Sequence, residues 1–177
     1  MIIATTERLI LRRWRASDRE PFARMNADPR VMEFMPLVLS RGESDALVDR
    51  IETDFEQRGF GACAVESRAD ATFLGYVGLD VPRFDAAFTP CVEIAWRLSA
   101  DHWGRGFATE AARAMVRYAF EILKLDALVS FTVPANLRSR RVMEKIGMTH
   151  DPAEDFDHPN LAPGHPLCRH VLYRLTR

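Results

Sequence analysis

Two glycines stand one residue apart at the start of a predicted helix, in the stretch WGRGFATEA from Trp103 to Ala111. Glycine disfavours a helix because it loses much backbone freedom on folding. The first N–H groups of a helix have no intrahelical partner, and together with the helix dipole they favour an anion such as a phosphate. Gly104 and Gly106 would let a phosphate approach the main chain without a Cβ in the way, and Arg105 would add positive charge. The alternative is a tight turn that binds nothing.

Two common phosphate-binding motifs fit this stretch poorly. A P-loop ends in Gly-Lys-Ser/Thr, which the chain lacks. The dinucleotide fingerprint places a third small residue where this chain has Thr109, and it needs an acidic residue after the next strand, where the chain reads VPAN. The glycine pair therefore indicates an anion site of another kind.

The composition is that of a single soluble domain. The chain has 177 residues, of which 47% are hydrophobic and 28% charged, and its net charge is −1. This balance predicts a sizeable core and gives no general attraction to nucleic acid or membranes. Early charges argue against a signal peptide, no apolar run is long enough to span a bilayer, and three scattered cysteines suit a reducing compartment. We therefore expect one cytoplasmic domain over residues 1–177.

Hydrophobic periodicity and capping signals predict ten elements around the glycine pair. Their order is β-α-α-β-β-β-α-β-α-β, an α/β arrangement around one mixed sheet. The predicted helices lie in residues 17–29, 40–59, 107–122 and 136–147, and the predicted strands in residues 6–14, 62–67, 72–81, 91–98, 127–133 and 166–176. In the third helix, Phe107, Ala111, Met115, Ala119 and Ile122 form the predicted apolar stripe.

Two linked motifs carry a resemblance to a known family. The first is Trp103-Gly104-Arg105-Gly106-Phe107-Ala108, which is similar to an R/Q-x-x-G-x-G/A loop; the second is the series Asn136, Ser139, Val142, Lys145, Gly147 and Met148. In this order and separation they resemble the GNAT superfamily of N-acetyltransferases, most closely its ribosomal-protein N-terminal acetyltransferase branch. Trp103 departs from the Arg or Gln of many members. The resemblance implies a single domain with a mixed, mostly antiparallel sheet flanked by helices (α+β).

The resemblance also implies acetyl-CoA as co-substrate and direct transfer of its acetyl group to an amine. The loop from Trp103 to Thr109 would then hold the pyrophosphate, and the strand edge at Ala95, Trp96 and Arg97 would pair with pantetheine. A strand amide there would stabilise the oxyanion. Asn136 would hydrogen-bond pantetheine, although it could be only a helix cap. The cofactor-binding residues implied are Ala95, Trp96, Arg97, Trp103, Gly104, Arg105, Gly106, Phe107, Ala108, Thr109, Asn136 and Ser139.

Catalysis needs a base for the amine and a proton for the departing thiolate. Glu93 is the first candidate for the base, because it lies on the strand that the resemblance assigns to the reaction and points away from its apolar row. A solvated or ion-paired glutamate is the alternative. Glu110 is a weaker candidate, since the dipole explains an acid in a first helical turn. The last predicted helix has no tyrosine, so Ser139 is the nearest hydroxyl for the thiolate, with solvent as the alternative.

The acceptor site is predicted less sharply. Phe34 and Met35 are candidate contacts, and Asp155 represents an acidic late loop that would attract a cationic amine or a basic peptide N-terminus. An ordinary acidic surface loop explains it equally well. The tail contains His158, His165, Cys168 and His170, but their spacing matches no compact zinc pattern, so no metal is expected.

An acetyl-CoA-dependent N-acetyltransferase is thus the leading hypothesis, as a monomer or homodimer with no nucleic-acid or membrane partner. The acceptor could be a protein N-terminus, a small amine, an aminoglycoside-like compound or an amino acid. A non-catalytic acyl-CoA-binding sensor with the same fold is the alternative from another class. A nucleic-acid binder is disfavoured by the balanced charge.

Overall fold

The computed structural model describes residues 1–177. Its strands form one sheet of nine strands. The strands are β1 (Ile2–Thr5), β2 (Leu9–Arg12), β3 (Ala62–Ser67), β4 (Phe73–Asp80), β5 (Glu93–Leu98), β6 (Ala127–Thr132), β7 (Thr149–His150), β8 (Phe156–Asp157) and β9 (Arg169–Thr176). The helices are α1 (Arg19–Ala27), α2 (Arg41–Arg58), α3 (Phe107–Arg117) and α4 (Leu137–Lys145). Short 3₁₀ turns occupy Ala16–Asp18, Ala100–His102 and Pro152–Glu154.

The strands run in the order β1-β2-β3-β4-β5-β6-β9-β7, and β8 pairs with β9. All pairs are antiparallel except β5 with β6, which are parallel. This is the mixed, mostly antiparallel sheet that the family resemblance implies. The parallel pair is also the weakest, because β5 and β6 share a single bridge, Glu93 to Val129. The two strands therefore separate beyond Glu93 and leave a gap in the centre of the sheet.

Helices α2 and α4 begin where their capping residues predict. At the start of α2 the Ser40 side chain accepts from the Glu43 N–H, and the Glu43 carboxylate accepts from the Ser40 N–H at 2.8 Å. Gly59 ends α2 with φ +78°. At α4 the Oδ1 of Asn136 accepts from the Ser139 N–H at 3.2 Å. These local interactions fix the helix ends independently of the core.

Three strands and one helix face differ from the sequence prediction. Strands β1, β7 and β8 have four residues or fewer, too few for a periodic pattern, so only their partner strands define them. In the third helix, Ala111, Met115 and Ala119 are buried, but Ile122 is 65% exposed. The reason is a π-helical turn over Tyr118–Ile122, which rotates the last turn away from the core. No helix of the chain has both the length and the apolar character needed to cross a membrane.

Candidate active site

The gap between β5 and β6 opens into a cleft of about 1100 Å³. The segment from Ala95 to Leu98 forms one wall, Ser130 to Thr132 of β6 form the other, and the start of α3 closes one end. Most of the residues predicted for the site line this cleft: Phe34, Met35, Glu93, Ala95, Trp96, Arg97, Trp103, Gly104, Gly106, Phe107, Ala108, Thr109, Asn136 and Ser139. The structure thus brings the two sequence motifs to one site, although they lie some thirty residues apart.

The two glycines adopt the conformation that their residue type permits. Gly104 has φ +75° and Gly106 has φ +80°, a region that residues with a Cβ rarely adopt. A Cβ on Gly104 would meet nothing within 4 Å, and one on Gly106 would meet only Nη2 of Arg8, at 3.5 Å. Space next to this backbone is therefore open. Glycine is needed here for the positive φ angles and for the approach of a ligand to the main chain, and not because neighbouring atoms exclude a Cβ.

The loop presents a run of main-chain donors. The six N–H groups from Gly104 to Thr109 have no acceptor in the protein, and the first bond of α3 runs from the Glu110 N–H to the Gly106 carbonyl at 3.0 Å. Consecutive free N–H groups at a helix N-terminus form an anion site. The side chain of Arg105 does not line the cleft. Its carbonyl accepts from Nη1 of Arg8 at 3.0 Å, so Arg105 contributes main chain here.

Trp103 occupies a structural position. Its Nε1–H donates to the Leu98 carbonyl at the end of β5, at 2.9 Å. The guanidinium of Arg138 lies over the Trp103 ring, 4.5 Å from the ring centroid, and Arg138 also pairs with Glu33 at 2.6 Å. Trp103 therefore joins the end of β5 to α4 and holds the loop between them, which accounts for an aromatic residue at this point.

Only alternate residues of β5 can offer main-chain groups to the gap. The Val92 carbonyl accepts from the Val129 N–H on the β6 side, whereas the Ser99 N–H donates to Leu74 on the β4 side. Because main-chain groups alternate in direction along a strand, those of Ile94 and Trp96 face the gap. The register pairs Ala95 with Gly78 and Arg97 with Tyr76 of β4. The Trp96 N–H is therefore the donor aimed into the cleft, while Ala95 and Arg97 line it with side chains.

Glu93 lies where the strands separate. It is partly buried, and Asp80 lies directly opposite on β4. Burial, with a smaller effect from the Asp80 charge, raises the pKa of Glu93 to about 8. A carboxyl group with this pKa exchanges protons readily near neutral pH. Glu110 differs: burial opposes its ionisation, but hydrogen bonds from Thr6 and Arg8 outweigh burial and lower its pKa. Glu110 is thus tied to the β1–β2 turn.

Asn136 and Ser139 lie at the start of α4. Besides capping the helix, Asn136 donates from Nδ2 to the Thr132 hydroxyl at 3.0 Å. One Nδ2 hydrogen and one Oδ1 lone pair of this amide remain for a ligand. Arg141 and Lys145, further along α4, also line the cleft. Arg140 points elsewhere, to the Tyr173 hydroxyl at 3.2 Å.

Asp155 is not part of the cleft. Its Oδ1 lies 2.7 Å from Nε2 of His150, so the carboxylate that was predicted to attract the acceptor is paired on β7 instead. The histidines and the cysteine of the tail form no group of three or more metal-ligating side chains. His165 accepts from the Leu167 N–H, whereas His158 and His170 line the cleft.

Sequence reasoning missed several lining residues. They are Arg50, Tyr76, Asp80, Phe84, His102, Phe131, His158 and His170. Tyr76 and Asp80 share a face with Arg97 and Glu93 through the β4–β5 register, a signal that strand pairing could have supplied. The aromatic residues come from segments far apart in the sequence, and no local pattern joins them.

Comparison with known proteins agrees with this architecture. Residues 8–149 match the family model described as the acetyltransferase (GNAT) domain. The chain is similar to the uncharacterized N-acetyltransferase YnaD of Bacillus subtilis, with 27% identity over 148 residues, 83% of this chain and 82% of YnaD. It also resembles the crystal structure of an acetyltransferase from Agrobacterium tumefaciens, with a TM-score of 0.78, 28% identity, and coverage of 98% of this chain and 94% of the other.

A mixed sheet that separates beside a helix-N-terminal anion loop, together with the family match, defines the class. The chain belongs to the GNAT acetyltransferase superfamily. It is an N-acetyltransferase, and a non-catalytic sensor is not favoured.

The ribosomal-protein branch stays a prediction. RimL, a ribosomal L7/L12 alpha-N-protein acetyltransferase solved in complex with coenzyme A, has a TM-score of 0.78. The two chains are only 15% identical, with coverage of 99% of this chain and 98% of RimL. At this identity the likeness shows the fold alone.

Proposed function

We propose that the chain transfers the acetyl group of acetyl-CoA directly to a primary amine. The observation that carries this proposal is the run of six unpartnered N–H groups from Gly104 to Thr109, which opens into the same cleft as Glu93. Two phosphates of coenzyme A supply the anion that such donors favour. The co-substrate would then lie along the gap between β5 and β6, with pantetheine beside the Trp96 main chain.

The residues of the cleft suit the steps of the transfer. The amine nitrogen would attack the thioester carbon, a C–N bond would form, and the C–S bond would break as the thiolate leaves. The Trp96 N–H faces the gap, where it would donate to the oxyanion. Asn136 would hold pantetheine with its free amide hydrogen or lone pair. Ser139 would donate a hydrogen bond to the thiolate. The nitrogen of the tetrahedral intermediate would lose its second proton to solvent as the amide forms, and solvent would protonate the thiolate, because a serine hydroxyl is a weak acid.

Glu93 is the proposed base. An alkylammonium must lose a proton before it attacks, and a carboxylate whose pKa is raised to about 8 matches that task near neutral pH. The proton would pass from the ammonium to Glu93, directly or through one water molecule. Phe34 and Met35 line the cleft and are proposed contacts of the acceptor.

Titration with coenzyme A tests the loop. We expect Gly106→Asp to raise the Kd for coenzyme A roughly tenfold or more, because it adds a side chain and a negative charge where phosphate would bind. Gly59→Asp is the matched control: Gly59 has a similar φ of +78°, nothing lies within 4 Å of a Cβ there, and it is remote from the cleft. Equal affinities for wild type and Gly106→Asp in calorimetry would refute the loop assignment.

Release of free thiol from acetyl-CoA across a panel of amines tests the reaction itself. Turnover with at least one primary amine is the expected result. Coenzyme A binding without turnover on any amine in the panel would refute acetyl transfer while leaving the binding site standing.

A further inference from the structure

Four aromatic rings that pack against one another line the cleft. Phe84 comes from the segment between β4 and β5, Phe131 from β6, His158 from the residue after β8, and His170 from β9. The ring centroids of Phe84 and His158 are 4.7 Å apart, those of His158 and His170 5.1 Å, and those of Phe84 and Phe131 5.9 Å. We call these four residues the ring wall.

The ring wall lies beside Glu93, on the β6 side of the gap. Phe84 lies in the segment between β4 and β5, which ends at Glu93, the first residue of β5. Phe131 lies two residues after Val129, the bridge partner of Glu93. If coenzyme A occupies the loop end, the ring wall is the surface that an acceptor would meet next to Glu93.

The rings are held from behind. Phe88 and Phe156 do not line the cleft, but each packs against the wall: Phe88 lies 6.0 Å from Phe131, and Phe156 lies 5.5 Å from Phe131 and 5.6 Å from His170. Aromatic packing of this kind fixes ring orientation. The wall is therefore a preformed surface and not a set of loosely exposed side chains.

Burial favours the neutral form of both histidines of the wall. It lowers the pKa of His158, and it lowers the pKa of His170 although the hydrogen bond to the Cys168 carbonyl opposes this shift. Nδ1 of His170 lies 3.0 Å from the Cys168 carbonyl, so we assign its proton to Nδ1; Nδ1 of His158 accepts from the Asn160 N–H, so its proton is on Nε2. The wall thus offers flat uncharged rings, with one N–H donor and one nitrogen acceptor.

The charges of this region disfavour a basic acceptor. The acidic side chains of the late loop are paired outside the cleft, Asp155 with His150, Glu154 with Arg174 and Asp157 with Arg169. The guanidinium of Arg97, which lines the cleft, donates to the uncharged Asn26 side chain at 2.7 Å and forms no ion pair. Only Asp80 and Glu93 are acidic here. The site can receive one ammonium group, but a polyamine or an arginine-rich peptide would meet uncompensated positive charge.

We propose that the acceptor is a small molecule in which a primary amine is attached to a planar aromatic group, and that the ring wall binds this group while the amine lies at Glu93. This inference rests on the proposed acetyl transfer for the role of Glu93, but binding at the ring wall is testable without turnover. The planar group would stack on, or pack edge to face with, Phe131 and the two imidazoles.

Two amines that differ only in ring planarity test the proposal. Phenethylamine has a flat ring, and its cyclohexyl analogue has the same carbon skeleton with a puckered ring. We expect kcat/KM for phenethylamine to exceed that for the analogue by about three- to tenfold, the range that aromatic pair energies predict beyond apolar area. Equal values, or a preference for spermidine or a basic peptide, would overturn the proposal.

Two leucine variants locate the effect. Phe131→Leu removes a ring of the wall, and we expect it to bring the ratio of the two amines close to one. Phe88→Leu removes a ring of the same cluster that does not line the cleft, and we expect it to lower the ratio less than Phe131→Leu does. A ratio that falls equally in both variants, with matching loss of melting temperature, would show a packing effect and overturn the assignment to the wall.

Calorimetry separates this inference from the reaction. Phenethylamine titrated into the coenzyme A complex, which cannot react, should bind more tightly to wild type than to Phe131→Leu. If no amine is turned over but this difference is seen, acetyl transfer fails and the aromatic site stands. If amines are turned over without preference for the flat ring, acetyl transfer stands and the aromatic site fails.

Discussion

Glu93 is partly buried, which favours its protonated form, whereas a general base must be deprotonated to accept a proton. With a pKa raised to about 8, its basic form increases as pH rises through that value, so we expect kcat/KM to rise with pH over the same range. Glu93→Gln should lower kcat by roughly a hundredfold, a typical value for loss of a general base, and flatten this rise. Rates measured from pH 6 to 10, with coenzyme A affinity as control, check both.

Asp80→Asn gives the matched comparison for that experiment. The Asp80 charge contributes to the raised pKa of Glu93, so its removal should move the inflection of the pH profile to lower pH without abolishing it. A Glu93→Gln profile that matches wild type at full rate would contradict the assignment of the base.

The same carboxyl group makes stability depend on pH. The pKa of Glu93 is about 8 in the folded chain, against the ordinary glutamate value of 4.5 that we take for the unfolded chain. The folded chain therefore binds this proton more tightly than the unfolded chain. The free energy of unfolding consequently falls as pH rises from about 4.5 to 8. Glu93→Gln removes this loss. We expect the variant to melt above wild type at pH 8.5 by at least about 2–4 °C, the change that roughly 1 kcal/mol gives in a chain of this size. Thermal melts at pH 5 should show a smaller difference.

At the scale of elements, the β1–β2 turn holds the glycine loop. Glu110 of α3 accepts from the Thr6 hydroxyl and from Nε of Arg8, each at 2.6 Å, and Arg8 also donates to the Arg105 carbonyl. The Arg8 guanidinium lies 4.7 Å from the centroid of the Phe107 ring. Arg8 therefore contacts both the loop and the helix that follows it, and it is a positioning residue for the free N–H groups.

We expect Arg8→Ala to raise the Kd for coenzyme A about two- to fivefold, which is what a partly exposed ion pair is worth. The maximal rate at saturating acetyl-CoA should change little. Arg68→Ala is the control, because Arg68 donates to the Thr6 and Glu7 carbonyls of the same turn without touching the loop. Calorimetric titration of wild type and the two variants with coenzyme A measures these Kd values. Equal effects of the two substitutions would mean that coenzyme A binding depends on the β1–β2 turn as a whole and not on the contact of Arg8 with the loop.

The elements also show how far sequence reasoning extends. Ser40, Gly59 and Asn136 mark helix ends by contacts within a few residues, and the glycine loop is equally local, so the sequence predicts all of them. The π turn at Tyr118 and the strands β7 and β8 depend on what packs beside them. The ring wall is less predictable still, because Phe84, Phe131 and His170 meet only once the sheet order is set. Asp155 was assigned to the acceptor site by charge alone, and its pairing with His150 is a tertiary contact.

At the scale of the whole molecule, one sheet consists of two halves that meet at a single bridge. Strands β1 to β5 form one half, and β6, β9, β7 and β8 form the other. Beyond the bridge from Glu93 to Val129 the halves are joined by α3 against α4, where Nη2 of Arg113 donates to the Lys145 carbonyl at 2.9 Å. A cleft in the centre of a sheet leaves main-chain groups of the two flanking strands without hydrogen-bond partners. Contacts elsewhere in the sheet must therefore stabilise the fold.

A buried ion cluster supports the half that contains β1 to β5. The guanidinium of Arg12 on β2 pairs with Asp18 at 2.6 Å and with Glu66 of β3 at 2.8 Å, and its side chain is only 4% exposed. Arg12→Met would leave the buried Asp18 carboxylate without its cation, whereas Glu66 would keep its pair with Arg15 at 2.7 Å. Breaking a buried pair in this way costs about 3–5 kcal/mol. We expect a melting temperature lower by about 6–20 °C.

Arg24→Met is the control. It removes an exposed pair with Glu20 on α1 and should change the free energy of unfolding by less than about 0.5 kcal/mol. Urea titrations of both variants measure these differences, and similar values would contradict a structural role for the buried cluster. Because the cluster does not line the cleft, the Arg12→Met protein that remains folded should keep the wild-type affinity for coenzyme A.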